Sequence, residues 1–394
     1  MSVWGSLADR YETERPRKLL ALDGGGIRGI LTLEILAKIE RVLATATGKG
    51  ASFRLCDFFD YVGGTSTGAI IAAGLARGMS VDELLGFYEK TGPAMFDKAF
   101  VLQRWKSLYK SEPLAKELQQ TFGESTTLAP KGPDAPGGLR CLFLAVTRNV
   151  TTDSPWPVSS NPLAKYNNVT RKDCNLRIPL WKLVRASTAA PIYFPPEVVS
   201  WDNDDPSKTF VFVDGGVTPY NNPAFLLYRM ATLAPYNLGW KTGETDLLLM
   251  SVGTGAAPTL DGDVLSPGKN AVSNLAGLPG ALMYGTLVDQ DINCRTVGRA
   301  VYGAPIDREI GDLIPRDAQG ETIPLSTDLG RSFLYARYNA ELSREGLDKI
   351  GLTDIDPEQV QQLDSVQFIK QLRRVGAKVA EDVSLEHFGS FVQG

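Results

Sequence analysis

Tyr61-Val62-Gly63-Gly64-Thr65-Ser66-Thr67-Gly68 runs from apolar residues through Gly-x-Ser-x-Gly into Ala69-Ile70-Ile71-Ala72-Ala73. That order predicts a strand, a tight turn carrying a serine, and a helix. Such a turn strains the backbone at the serine. Side chains two positions to either side would collide with the neighbouring strand and helix, which gives Gly64 and Gly68 a steric role. The new helix also points its first N–H groups and positive dipole end at any negative charge forming beside Ser66. The pentapeptide alone suits an ordinary loop as well as a nucleophile; the strand before it and the helix after it favour the nucleophile.

The same unit occurs upstream. Lys18 to Asp23 reads as a short buried strand ending in Gly24-Gly25-Gly26-Ile27-Arg28-Gly29, after which Ile30, Leu31, Leu33, Ile35, Leu36, Ile39 and Val42 recur at helical spacing. Ser80-Val81-Asp82-Glu83 is a capping box opening a further helix. Strands are predicted at 139–146, 210–213 and 246–252, helices at 179–187 and 222–230, and a long Pro/Asn/Ser-rich loop at 151–170. Strand and helix alternate, and several strands are apolar throughout. This predicts an α/β protein with a mostly parallel central sheet covered by helices on both faces. Residues 1–17 form a lead-in, 18–275 the main domain, and 276–394 a mainly helical extension packed on it, with helices at 332–350 and 357–379.

Composition narrows the function. Of 394 residues, 43% are hydrophobic and 22% charged, as in a packed soluble protein, and the formal net charge of −4 gives no case for a nucleic-acid partner. Met1 to Lys18 lacks the apolar core of a signal peptide, and no apolar run reaches the length of a membrane span. Cys56, Cys141, Cys174 and Cys294 are scattered without a C-x-x-C pair, which argues against a disulfide framework or a zinc site. A reducing, cytoplasmic setting is expected. His387, near the chain end, is the single histidine. A Ser-His-Asp triad therefore has one candidate, on a terminal segment, and sites built on several histidines are excluded.

Gly24-x-Gly26-x-x-Gly29 matches the dinucleotide fingerprint, but the acidic residue expected about 20 positions on is missing from 44–54, and no Gly-Lys-Ser/Thr follows for a phosphate loop. The other use of such a loop is an oxyanion hole, because consecutive glycines let backbone N–H groups converge. Arg28 adds a positive charge that braces the loop or attracts a lipid phosphate; its plainer reading is a surface ion pair. Asp214 ends an apolar strand and enters Gly215-Gly216. Asp-Gly after a strand is a common turn. With one histidine in the chain, however, Ser66 needs another proton acceptor, and a carboxylate at the carboxyl end of a parallel strand lies where such sheets hold their sites. Burial would raise its pKa towards a useful base.

Asp-Gly-Gly-Gly-x-Arg-Gly at 23–29, Gly-Thr-Ser-Thr-Gly at 64–68 and Asp-Gly-Gly at 214–216, in this order and without a usable histidine, resemble the patatin-like phospholipases. Ala186-Ser187-Thr188-Ala189-Ala190-Pro191-Ile192-Tyr193-Phe194 is similar to the segment ahead of that family's aspartate. The resemblance spans about 19–252. It implies a three-layer α/β/α fold and a Ser–Asp dyad acting on lipid acyl esters, with no metal or other cofactor. Carried over residue by residue, Ser66 is the nucleophile and Asp214 the base. The glycine loop (Gly24, Gly25, Gly26) and Thr67 form the oxyanion hole, supported by Arg28, Gly29, Gly64, Gly68, Gly215 and Gly216. Some bacterial members are switched on by cyclic nucleotides, so a small-molecule activator is an expectation about subgroup; no motif here shows a nucleotide site. A phospholipid membrane surface is the expected substrate partner, and Phe96, Phe100, Val101, Leu102, Trp105 and Trp156 are candidates to line an acyl trough or touch a bilayer. Their plainer reading is core. Lys98, Arg104, Lys106 and Lys110 beside them suit an anionic lipid surface or a solvated face. Hydrolysis of another lipid ester or thioester, a nucleotide-binding module built on 24–29, and an inactive scaffold remain the alternatives.

Overall fold

Strand β1 (Arg17–Leu22) is buried along its whole length, with Leu20 and Leu22 in one apolar cluster and Leu19 and Ala21 in the other. A strand covered on both faces needs no polar side, so its sequence shows no alternation. In the computed structural model, which describes residues 2–96, 113–129, 138–191, 194–202, 204–257 and 271–392, this strand lies near the middle of the sheet.

After β1 come α1 (Gly29–Ala46), β2 (Tyr61–Thr65), α2 (Thr67–Ala76) and α3 (Val81–Phe96). Then follow β3 (Leu142–Asn149), β4 (Ser154–Ser159), α4 (Leu180–Ser187), β5 (Glu197–Ser200), β6 (Thr209–Asp214) and α5 (Ala224–Thr232). The chain continues through β7 (Leu247–Val252), α6 (Ala271–Val297), β8 (Arg299–Tyr302), β9 (Leu334–Tyr338) and α7 (Ile369–Ala380). Strand order is β5-β6-β3-β2-β1-β7-β9-β8, with β4 on the other side of β3. The pairs from β3 through β2, β1, β7 and β9 to β8 are parallel; β3/β4, β3/β6 and β5/β6 are antiparallel. Helices α1 to α4 and α7 pack on one face, and α5 with the end of α6 on the other. This is the expected three-layer arrangement. At the start of α3, the Ser80 hydroxyl accepts from the Glu83 N–H at 3.1 Å and a Glu83 carboxylate oxygen accepts from the Ser80 N–H at 2.7 Å.

Three local expectations are corrected. The predicted loop 151–170 contains β4. Pro155 and Pro157 argued against a strand, but they are two residues apart on a strand that, among the described residues, pairs only with β3, so both can turn their N–H-less side away from the ladder. The predicted helix 332–350 contains β9, which lies between β7 and β8, and helix is confined there to Arg344–Lys349. The polar Arg337 broke the apolar run in the sequence; in the fold it is buried against Asp23. The region beyond 276 thus contributes two strands to the same sheet. Finally, the strand carrying Asp214 is antiparallel to β3 rather than parallel.

Candidate active site

The antiparallel entry of β6 brings Ser66 and Asp214 together. On β3, Val146 pairs with Thr65 at the end of β2, and the next residue, Thr147, pairs with Asp214 at the end of β6. Strands β2 and β6 therefore run head-on along one side of β3, and their last residues meet. Close approach there requires glycine: a Cβ on Gly215 would overlap the Val146 carbonyl oxygen.

Ser66 has φ 54° and ψ −124°, a strained conformation for a residue with a side chain. The turn is locked on both sides, since a Cβ on Gly64 would overlap the Gly68 carbonyl and one on Gly68 the Leu22 carbonyl. The Ser66 N–H donates to Ser187 Oγ at 3.0 Å, and that hydroxyl donates to the Val146 carbonyl at 2.6 Å. Ser66 Oγ donates to Asp214 Oδ2 at 2.6 Å, while Asp214 Oδ1 accepts from the Gly216 N–H at 2.7 Å. Asp214 is only 4% exposed. Burial pushes its pKa from 3.8 up to about 6, against the opposing pull of the Ser66 hydroxyl, the Gly216 N–H and the Arg185 charge. A hydroxyl on a strained turn, hydrogen-bonded to a carboxylate of raised basicity, can act as a nucleophile with that carboxylate as its base.

The glycine loop lies against this pair: a Cβ on Gly24 would come within 3.3 Å of the Ser66 Cβ. Its N–H groups fall into two sets. That of Gly24 donates to the Asn221 carbonyl at 3.0 Å, that of Ile27 to the Leu363 carbonyl at 3.0 Å, and that of Arg28 to the Gly25 carbonyl at 3.2 Å. Among the described residues, no hydrogen bond occupies the N–H of Gly25, Gly26 or Thr67. Gly26, at φ +59°, holds a backbone shape few other residues adopt. The N–H groups of Gly25, Gly26 and Thr67 can thus still take an acceptor, whereas that of Gly24 is committed within the loop. The dinucleotide reading fares poorly, because three of the loop N–H groups are already committed.

Asp23, fully buried before the loop, is not aimed at a ligand. Its two carboxylate oxygens accept from Arg337 at 3.3 and 2.5 Å, and Arg337 also donates to Ser251 Oγ at 2.5 Å. Arg28 makes no ion pair within the described residues; its guanidinium reaches the Gln361 carbonyl at 3.2 Å, its Nε is buried without a hydrogen-bond partner there, and burial pushes its pKa down to about 10. Gly29 sits where a Cβ would overlap Thr67 Oγ1. His387 is elsewhere: its Nδ1 lies 2.7 Å from the Tyr338 hydroxyl, at the end of β9, and its ring stacks on Tyr302 at 4.6 Å. Phe96 is buried, and half-buried Trp156 packs with Trp201, Phe210 and Phe212. Phe100, Val101, Leu102, Trp105, Lys98, Arg104, Lys106 and Lys110 lie outside the described residues.

The sequence reading gave no role to Ser187, Asn221, Thr254 or Arg337. One signal was available: Gly253-Thr254-Gly255 follows β7 as a third glycine turn beside those after β1 and β2. The role of Ser187 shows only in three dimensions, because its partners Ser66 and Val146 are far away in sequence.

A family profile described as patatin-like phospholipase matches residues 20–228, just over half of the chain. A protein of Vibrio cholerae named cGAMP-activated phospholipase is 32% identical over 254 residues, covering 60% of this chain and 64% of the relative. An Escherichia coli protein of the same name is 28% identical over 257 residues, covering 63% and 65%. Patatin group J-1 of Solanum tuberosum is 29% identical over 256 residues, covering 62% of each. In each case the match spans less than two thirds of the relative's length.

Proposed function

The chain belongs to the patatin-like phospholipase family, and from that premise we propose that it is a lipid acyl hydrolase cleaving fatty-acyl esters of membrane phospholipids. The observation that carries the reading is the 2.6 Å hydrogen bond from Ser66 Oγ to the buried Asp214 carboxylate at a strained strand-to-helix turn.

Ser66 Oγ attacks the acyl carbonyl as its proton passes to Asp214. A pKa near 6 rather than 3.8 brings the carboxylate closer to that task. The carbonyl oxygen becomes an oxyanion, received by the N–H groups of Gly25, Gly26 and Thr67; losing one such donor typically costs about 10²–10³ in rate. The C–O bond to the glycerol breaks, the departing oxygen takes the proton back from Asp214, and the lysophospholipid leaves an acyl-Ser66 ester. Water attacks that ester, again giving its proton to Asp214, and the fatty acid departs as the proton returns to Ser66. Arg28, whose charge lies beside the loop, suits the substrate phosphate.

Two relatives carry cGAMP activation in their names. We extend the proposal to a cyclic-nucleotide activator and to action at the cytoplasmic membrane surface. Among the described residues, no helix is long and apolar enough to cross a membrane.

The test is mass spectrometry of products from a mixed phospholipid extract, with and without cGAMP. Release of fatty acid and lysolipid by the wild type, absent in Ser66→Ala, is expected. No release under either condition would overturn the reading.

A further inference from the structure

The carbonyl of Gly24 is held from behind. Thr254 Oγ1, buried at the end of β7, donates to it at 2.8 Å, and Asn221 Nδ2 approaches at 3.4 Å. The described residues contain no cis peptide bond. In a trans peptide the C=O of one residue and the N–H of the next point in opposite directions within one rigid plane. Fixing the Gly24 carbonyl therefore aims the Gly25 N–H the other way, and among the described residues that N–H has no hydrogen-bond partner. The fit is close: a Cβ on Gly25 would overlap Thr254 Oγ1, so the plane is backed by the threonine and cannot rotate towards it. Asn221 lies between the two loops of the site. Its carbonyl takes the Gly24 N–H at 3.0 Å, and its Oδ1 would be 3.0 Å from a Cβ on Gly216, next to the base.

We propose that Thr254 is a positioning residue for catalysis: its hydroxyl, assisted by Asn221, orients the Gly24–Gly25 peptide so that the Gly25 N–H meets the oxyanion. This rests on the acyl-hydrolase reading above. The hydroxyl makes no bond to substrate. It acts chiefly on the transition state, because the developing charge draws on the donor more than the ground-state carbonyl does.

The experiment compares wild type with Thr254→Val, Thr254→Ala and Thr254→Ser on one fluorogenic acyl ester. It also measures inhibition by a trifluoromethyl ketone, which binds as a tetrahedral oxyanion, and by the matching plain amide. Valine keeps the shape and removes the donor; alanine removes the donor and the methyl together and adds no bulk, should valine disturb folding. Both are expected to lose about ten- to a hundredfold in kcat with KM within about twofold, as for a weakened oxyanion donor. Affinity for the trifluoromethyl ketone should fall in parallel and that for the amide should hold, while Thr254→Ser recovers most of the loss. Wild-type kcat in the valine and alanine variants of an active enzyme would overturn this role alone. So would equal losses for the ketone and the amide, or a serine variant as poor as alanine, since those mark a purely structural residue. A wild type that hydrolyses no acyl ester would overturn the function and this role with it.

Discussion

Replacing Asp214 by Asn removes a charge that the fold holds at a cost. The carboxyl pKa rises from 3.8 to about 6 in the folded protein, chiefly through burial. A folded-state pKa above the unfolded one means that the native protein binds the extra proton between those values. Its stability therefore falls as pH rises through that window. Two pH units at about 1.4 kcal/mol each give about 3 kcal/mol, absent below pH 4 and fully present above pH 6. Asparagine is close in shape, can still accept from the Gly216 N–H, and carries no charge to desolvate. The stability difference between Asp214→Asn and wild type is thus expected to grow by about 3 kcal/mol in the variant's favour between pH 4 and pH 8. With an unfolding entropy of about 2.1 cal/mol/K per residue, that is about 3–4 °C in Tm. Calorimetry of both proteins at the two pH values measures it. An unchanged difference, or a variant less stable at pH 8 than at pH 4 relative to wild type, would show that hydrogen bonds from Ser66 and Gly216 compensate the buried charge. The account of its basicity would then fail.

Two further outcomes follow from the same geometry. Because Ser66 sits at φ 54°, Ser66→Gly should be more stable than Ser66→Ala by about 1 kcal/mol, both being inactive; alanine as the more stable variant would deny the strain. His387→Gln should lose about 1 kcal/mol with its bond to Tyr338 and keep kcat within about twofold. A hundredfold loss of kcat would instead bring back a histidine base.

The legible parts of the chain were those where one local stretch carries the whole signal. Gly64 to Gly68 needs only its flanking strand and helix to be read as a turn. The run from Leu19 to Leu22 is apolar enough to announce a doubly covered strand. Asp214 was readable by elimination, through the scarcity of histidine, and from the order of the three glycine motifs; what remained hidden was the antiparallel direction of its strand, which sets the meeting with Ser66. β9 was obscured because Arg337 looks like a surface residue until Asp23, 314 positions away, is seen to neutralise it. β4 was obscured by two prolines whose missing N–H groups matter only on the side facing the partner strand. Thr254 showed in the sequence only as the middle of a third glycine turn and Asn221 not at all, because both hold a carbonyl and nothing in a sequence marks which carbonyls are held.

The central claim is that an aspartate alone activates Ser66, and the rate of Ser66 acylation against pH tests it most directly. A fluorophosphonate or chromogenic ester followed by stopped flow would report that rate in wild type, Asp214→Asn and His387→Gln. Wild type and His387→Gln should rise about tenfold per pH unit up to about 6, where Asp214 ionises, and level off above. Asp214→Asn should be at least about a hundredfold slower at pH 8 and lack that inflection. Acylation of Asp214→Asn within tenfold of wild type, or loss of the inflection in His387→Gln, would contradict the dyad.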